Sequence, residues 1–460
     1  MSLIDFNKPS NVHFIGIGGI SMSGLAEVLL GRGFNVTGSD NNESDLTRHL
    51  EKLGARIFYG QKAENVSDDY SLVVYTAAIH PDNPEFAECV RLGLPMMTRA
   101  ELLGELMANY PVSFAVAGTH GKTTTTSMLS EILMAAKKDP TISVGGILPS
   151  IGGNIRVGSS DCFITEACEY TDSYLSLDPY IAVITTVDAD HLDYFKTLEN
   201  VRLSFKKFAN RISPAGALVI NSAIEGLNFF TEGLKCECVT YALDCDADYT
   251  ASDITYDKLA RGTFTCLCKG KPVGTFTLSV PGKHNVENAL AAIAAARVIG
   301  ISFEDIRTGL SAYKGADRRF QHIGEAFGCE IIDDYSHHPT EVRACLTTAR
   351  SYPHKKIWCV FQPHTYTRTA LLLDGFADAL SLADEVILSD IYAAREINES
   401  GISSNDIAVR IQAAGTPASY IPDFESIAAY LRDRLSPGDL LITMGAGQAY
   451  IVGQLLIKGE

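Results

Sequence analysis

The chain has 460 residues, of which 46% are hydrophobic and 20% charged, and it carries a formal net charge of −17. Such a length exceeds what one core supports and points to about three domains. The acidic balance excludes nucleic acid and anionic membranes as main partners, because either needs a basic face; a nucleotide would have to be met by local glycine turns and a few Lys or Arg.

Met1 to Ser10 has charges and no apolar centre, so no secretory leader is expected. The alanine-rich run Ala289 to Ala296 is broken by Arg297 and is too short to span a bilayer. The expectation is a cytoplasmic enzyme-like protein. Its 11 cysteines are spread as reduced core residues would be. Cys236-x-Cys238 and Cys266-x-Cys268 follow strand alternation and lack flanking His or Cys at finger spacing, so they read as structural.

From the amino terminus, Val12 to Ile15 reads as a strand entering the turn Gly16-Ile17-Gly18-Gly19-Ile20-Ser21-Met22-Ser23-Gly24. A helix over Leu25 to Leu30 and a strand Asn35 to Asp40 follow. This is the outline of a dinucleotide-binding βαβ unit, whose glycines admit a pyrophosphate and whose terminal acid, Asp40, is available to a ribose or base. The Gly-x-Gly-Gly spacing suits a nucleotide diphosphate as well as NAD. Strand Leu72 to Thr76 leads into a loop, Ala77 to Pro84, at the edge where ligands of open α/β sheets sit. A boundary near Pro111 gives a first domain over 1–109.

The second segment opens on Ala117-Gly118-Thr119-His120-Gly121-Lys122-Thr123-Thr124, between an apolar strand and the helically spaced Ser127 to Met134. A glycine turn so placed aims backbone N–H groups and a helix dipole at one point, which suits a phosphate chain. Lys122 would lie over the outer phosphates and the Thr123 hydroxyl would ligate Mg²⁺, so ATP is the expected ligand. Strand Cys162 to Thr165 ends at Glu166, and strand Ile181 to Thr186 ends near Asp188, Asp190 and His191. In a parallel sheet these ends share one edge with the phosphate loop. Thr123 and Glu166 suit Mg²⁺, and a second ion could use His191. Residues 213–280 read as a β-rich decoration. Next comes a helix over Ala289 to Val298, with Asn285 its candidate N-cap and Asn288 on the same face. The second domain is read as 110–316.

Gly315 to Phe320, which contains Arg318 and Arg319, reads as a compact charged hinge into a third α/β unit, 317–460. Strands at 330–334, 356–361, 385–389 and 440–444 are expected. Polar loops follow the first three: Tyr335-Ser336-His337-His338, Gln362 to Arg368, and Asp390 to Glu396.

Taken together, Gly16 to Gly24, Ala117 to Thr126, Glu166 to Glu169, Asp188 to His191, His284 to Asn288, Arg318 to Phe320, Asp333 to Glu341 and Phe361 to Thr369 resemble the Mur ligases, and within them the alanine-adding branch. The resemblance implies three domains: a Rossmann-like one for a UDP substrate, a P-loop-type ATPase with a mostly parallel sheet, and a Rossmann-like one for the amino acid. It implies ATP and Mg²⁺ as cofactors, UDP-N-acetylmuramate and L-alanine as substrates, an acyl-phosphate intermediate, and a monomer or weak homodimer. By the same resemblance Lys122, Glu166, His191, Arg319 and Asp334 are catalytic. Gly118 to Thr124, Asn285, Asn288 and Arg319 bind ATP; Gly16, Gly18, Gly19, Ser21, Met22, Ser23 and Asp40 bind the UDP substrate; Arg368, Arg395, Tyr335 and His337 bind the amino acid; Thr123, Glu166 and His191 bind metal. Thr365 stands where most relatives carry a second arginine, and Arg395 is the expected replacement. Ser21 replaces a common glycine, and no lysine is placed for carbamylation. A tripeptide-attaching ligase, an NAD-dependent oxidoreductase and a nucleotide-binding protein without turnover are the competing readings.

Overall fold

A computed structural model describes residues 3–76, 78–394 and 396–459. Three sheets follow one another along the chain, each flanked by helices. The first has five parallel strands in the order Arg56–Tyr59, Asn35–Asp40, Asn11–Ile15, Leu72–Tyr75, Met96–Thr98. Strand order reverses between Asn11–Ile15 and Leu72–Tyr75, so the glycine turn after Ile15 opens at the switch point, where a crevice forms. The helix after that turn begins earlier than its periodicity suggests, at Ile20, and runs to Gly31.

The second sheet has ten strands. Its centre is parallel: Ala217–Asn221, Ile181–Ile184, Val112–Ala117, Cys162–Glu166 and Thr141–Leu148 lie side by side. Ala, Val and Ile fill these strands because both faces are covered, which abolishes the polar alternation of a one-sided sheet. The segment read as decoration belongs to the same sheet. Glu237–Tyr241 continues the parallel order, and Tyr249–Tyr256, Arg261–Cys268 and Lys271–Pro281 fold into antiparallel hairpins at the edge. The following helix is Lys283–Val298, capped by Gly282 and not by Asn285, which sits inside the first turn.

The third sheet runs Gln321–Ala326, Cys329–Asp334, Leu440–Met444, Ile357–Phe361, Glu385–Leu388, Ala418–Tyr420, parallel except for its first strand. All three units are therefore α/β with mostly parallel sheets. Every cysteine is free, but Cys168, Cys238 and Cys245 are exposed, which corrects the expectation of a core role for them.

The domains meet differently. One apolar cluster runs without a break from Val12 and Leu29 of the first domain through Tyr110 to Phe163 and Phe205 of the second. Glycines on Ile20–Gly31 let this helix lie close to strand Gly153–Arg156: a Cβ at Gly24 would meet Ile155 at 3.3 Å, and one at Gly31 would meet Val157 at 3.0 Å. The third domain has apolar clusters of its own. It touches the second through polar pairs, namely His120 with Glu341, Thr340 with Asp188, and Arg368 with Asp190. Among the described residues, no helix is long and apolar enough to cross a membrane.

Candidate functional site

The phosphate loop joins Val112–Ala117 to the helix Lys122–Ala135. Its glycines are required by conformation and space. Gly118 has φ 136°, and a Cβ there would collide with Thr185 Oγ1; Gly121 has φ 81°, and its Cβ would come within 2.6 Å of Asn288 Oδ1. Thr119 N–H donates to Thr186 O (2.9 Å) and His120 N–H to Thr186 Oγ1 (2.8 Å), pinning the loop to the neighbouring strand end.

Lys122 Nζ donates to Gly118 O (2.6 Å) and Thr119 O (3.1 Å) and lies 2.9 Å from Glu169 Oε2. Burial works against the ammonium, but Glu169 and other nearby acidic groups hold its pKa above that of ordinary lysine. Glu169 was not singled out in the sequence, where nothing local distinguishes it from Glu166. Glu166 Oε2 accepts from Thr123 Oγ1 (2.9 Å) and Gly145 N–H (2.8 Å), so two oxygen donors meet at the start of the helix. That all-oxygen pair fits Mg²⁺. His191 lies at the end of the neighbouring strand with φ 52°, its Nε2 3.7 Å from Glu169 Oε1. It offers one nitrogen beside the carboxylates of Glu169 and Asp190, the latter at 3.9 Å, a weaker match to a hard cation than an all-oxygen set.

His120, Asp188 and His338 also bring ligand-type atoms within 4.8 Å of one another. However, His338 Nδ1 accepts the Thr340 N–H at 3.3 Å, which leaves its proton on Nε2 and removes that nitrogen as a ligand. His120 is instead held between two carboxylates, Glu341 Oε1 at 3.1 Å and Asp188 Oδ2 at 3.6 Å. Burial opposes its charge, yet these carboxylates raise it to about 9.

Arg319 enters from the hinge and forms no ion pair among the described residues. Its guanidinium lies 5.4 Å from the Tyr335 ring and lines the same cavity, of about 690 Å³, as His120, Lys122, Thr123 and Glu166. A smaller chamber, of about 200 Å³, joins Arg319 and His120 to Asn285, Asn288, Tyr313 and Asp334. The two asparagines are bonded to each other, Asn288 Nδ2 donating to Asn285 Oδ1 at 3.1 Å, while Thr125 Oγ1 donates to Asn288 Oδ1 at 3.3 Å. Asp334 does not stand free. It accepts Phe320 N–H (2.8 Å), Ser336 N–H (2.9 Å) and the Ser336 hydroxyl, so it fixes the hinge backbone.

A third cavity, of about 560 Å³, shares Asp190, His191, Tyr335 and His337 with the first and adds His364, Thr365 and Arg368. His337 is pushed down to about 4 by burial, and its Nδ1 donates to Tyr335 O at 3.0 Å. Arg368 Nη2 reaches Asp190 Oδ1 at 2.7 Å across the domain boundary, a partnership the sequence did not suggest. Arg395 lies outside the described residues; Ala394 and Glu396 beside it line this cavity.

In the first domain the glycine turn is built as expected, but several side chains are not aimed at a ligand. Met22 is core, and Ser23 is buried with its hydroxyl donating to Ile20 O at 3.0 Å. Asp40 Oδ2 accepts the Gly18 N–H at 2.9 Å, so it closes the turn. Ser21 Oγ accepts from Arg99 at 3.2 Å, which adds a cation beside the turn that the sequence reading missed. Gly16 and Gly19 form the turn itself, Gly16 N–H donating to Ser39 O at 2.8 Å.

Comparison with known proteins agrees with this layout. The family models for the Mur ligase family catalytic domain, the Mur ligase middle domain and the Mur ligase glutamate ligase domain match residues 11–111, 116–296 and 318–447. The UDP-N-acetylmuramate–L-alanine ligase of Agathobacter rectalis is 54% identical over 458 residues, covering 100% of both chains. The crystal structure of the UDP-N-acetylmuramate-alanine ligase of Thermotoga maritima superposes with a TM-score of 0.80 at 29% identity, covering 98% of this chain and 99% of that one. A murein peptide ligase from Psychrobacter arcticus gives 0.70 at 25% identity, covering 98% of each chain. Three domain matches in order and full-length identity above half place the chain in the Mur ligase family, to which it belongs.

Proposed function

We propose that the chain joins L-alanine to the lactyl carboxylate of UDP-N-acetylmuramate at the expense of ATP, releasing ADP and phosphate, as a step of peptidoglycan precursor synthesis. One arrangement supports the chemistry above all: Arg319, a half-buried guanidinium with no carboxylate at ion-pair distance among the described residues, faces the cavity of the phosphate loop, Lys122 and Glu166. A cation so placed, with donors not taken up by an ion pair, can meet the oxygens of a phosphate chain.

In the first step the carboxylate oxygen of the acceptor bonds to the γ-phosphorus of ATP while the bond to the bridging oxygen breaks, and ADP leaves. In the second the free amine of alanine attacks the acyl carbon. A C–N bond forms, the C–O bond to phosphate breaks, and the amine proton is lost. Phosphoryl transfer of this kind needs positioning and charge neutralisation more than covalent help. Lys122 and Arg319 neutralise phosphate oxygens, and Asn285 and Asn288 line the nucleotide chamber. Thr123 and Glu166 would hold Mg²⁺, with His191 beside the acceptor as the site of a second ion; bound there, the metal adds positive charge against the phosphates. The turn from Gly16 to Ser23 presents backbone N–H groups to the UDP portion, with Asp40 bracing it. Arg368, Tyr335 and His337 receive the alanine, and Asp334 sets the hinge angle that brings the third domain over the others. We assign 1–109, 110–316 and 317–460 to these three tasks, in a cytoplasmic protein that is a monomer or a weak homodimer.

The test is phosphate release from ATP with Mg²⁺ and UDP-N-acetylmuramate, with L-alanine, the stem tripeptide or no amine added. Release that depends on L-alanine is expected. Release with tripeptide alone would transfer the chain to the tripeptide-attaching branch, and none at all would refute the reading.

A further inference from the structure

We propose that Asp190 is a positioning residue for the amino-acid clamp: presented by the middle domain, it orients the Arg368 guanidinium of the third, so that the incoming carboxylate is recognised only when the two domains have closed. The inference rests on the assignment of Arg368 to the amino-acid site made above.

Both partners are buried, Asp190 at 7% and the Arg368 side chain at 11% exposure, and Oδ1 lies 2.7 Å from Nη2. The carboxylate is itself held from behind, because Oδ1 also accepts the His191 N–H at 2.7 Å. On the other side, Arg368 Nη1 lies 3.1 Å from His364 Nδ1. Burial and the neighbouring guanidinium push His364 down to about 4, so its ring is neutral and Nδ1 is free to accept. Arg368 is thus tied once by each domain. A guanidinium has five N–H donors, and two tethers leave others for a ligand in the cavity of about 560 Å³ that Arg368 lines.

The tie lowers the cost of holding a ligand carboxylate. One arginine on a flexible stem loses rotamer freedom when it binds a carboxylate, and prior orientation removes that cost. Asp190 could instead be a competitor that occupies the guanidinium until alanine displaces it. The burial argues otherwise, since displacement would leave the carboxylate in the interior without its guanidinium, held by the His191 N–H. The two alternatives predict opposite signs for the effect of removing the charge.

The experiment measures steady-state kinetics of the full chain with L-alanine and with L-alaninamide, which has the same amine and no carboxylate. Wild type is compared with Asp190→Asn, Asp190→Glu, Arg368→Lys and the Asp190→Asn/Arg368→Lys pair. Loss of a hydrogen bond to a charged group predicts that Asp190→Asn raises the KM for alanine about tenfold or more. The KM for alanine rises by at least about fivefold more than those for ATP and UDP-N-acetylmuramate, because Asp190 borders the phosphate-loop cavity but its bonded partner across the boundary is Arg368. The preference for alanine over alaninamide collapses in the variant, Asp190→Glu recovers part of it, and the double variant is no worse than Arg368→Lys alone. An unchanged preference, a fall in the alanine KM, or a parallel rise of all three KM values would overturn the proposal. A second readout does not depend on turnover: amide hydrogen exchange of 362–371 should speed up in Asp190→Asn with ATP present. Unchanged exchange there would also overturn it, whereas faster exchange in an enzyme that ignores alanine would leave the tie standing and overturn only the assigned substrate.

Discussion

Lys122→Met separates what the phosphate-loop lysine does for catalysis from what it does for folding. In the native state the ammonium satisfies two loop carbonyls and faces Glu169 at 2.9 Å, with the lysine side chain 14% and the glutamate 2% exposed. Methionine preserves the aliphatic packing and removes the charge, leaving a buried carboxylate with the His191 imidazole 3.7 Å away. Removing one partner of a buried pair costs about 3–5 kcal/mol. The lower end, about 3 kcal/mol, applies here, because the lysine keeps some solvent contact. With a urea slope of about 2–3 kcal/mol/M for a domain of this size, the midpoint of the middle sheet falls by roughly 1–1.5 M. The assay is hydrogen exchange in a urea series, read on peptides covering Val112–Ala117 and Cys162–Glu166. The double variant Lys122→Met/Glu169→Gln should regain at least half of the lost stability, since a neutral amide needs no counter-charge. Its phosphate release should stay down by about 10³-fold or more, because charge neutralisation at the transferring phosphoryl group is still missing. A midpoint shift below about 0.3 M for the single variant, or no recovery in the double, would refute the reasoning.

Arg319→Ala should raise the KM for ATP about tenfold or more, and an unchanged KM would remove Arg319 from the nucleotide site. The His120 tie predicts a pH dependence. Its folded-state pKa of about 9 lies above the unfolded value of 6.5, so the stabilisation is fully present below 6.5 and is lost as pH rises through 9. Closure of the third domain, followed by protection of 337–345 from hydrogen exchange, should therefore weaken between those limits. His120→Asn should flatten that profile, and a wild-type profile already flat to pH 10 would contradict it.

Local signals carried the first part of this molecule well. Glycine turns, strand-to-helix switches and the acids at strand ends are short-range features, and Gly118, Gly121, Lys122, Thr123 and Glu166 sit together as their spacing implied. The misreadings share one cause, which is that the sequence does not say which way a side chain turns. Ser23 faces the helix backbone, Asp40 its own turn, and Asp334 the hinge. Asn285 lies in the first helical turn because Gly282, with φ 101°, takes the capping position. The partners that were missed, Glu169, Glu341 and Asp190, are each carboxylates that acquire meaning only from a residue 47 to 221 positions away in the chain. Periodicity likewise could not attach Lys271–Pro281 to the central sheet, since edge hairpins and separate decorations look alike in sequence.

The contrast between the two domain seams decides which part of the molecule can travel. The seam between first and second domains is greasy and glycine-fitted, and separating it would expose a continuous core. Among the described residues the seam to the third domain includes the polar pairs named above and a hinge in which Arg318 and Phe320 adopt φ of 61° and 49°, so parting it exposes groups that water can solvate. On the proposed assignment, the beds for the acceptor and the phosphate donor form a fixed anvil on which an acyl phosphate can form undisturbed. The part proposed to deliver the amine is the one whose seam can open, and its parting would not tear the site that makes the acyl phosphate.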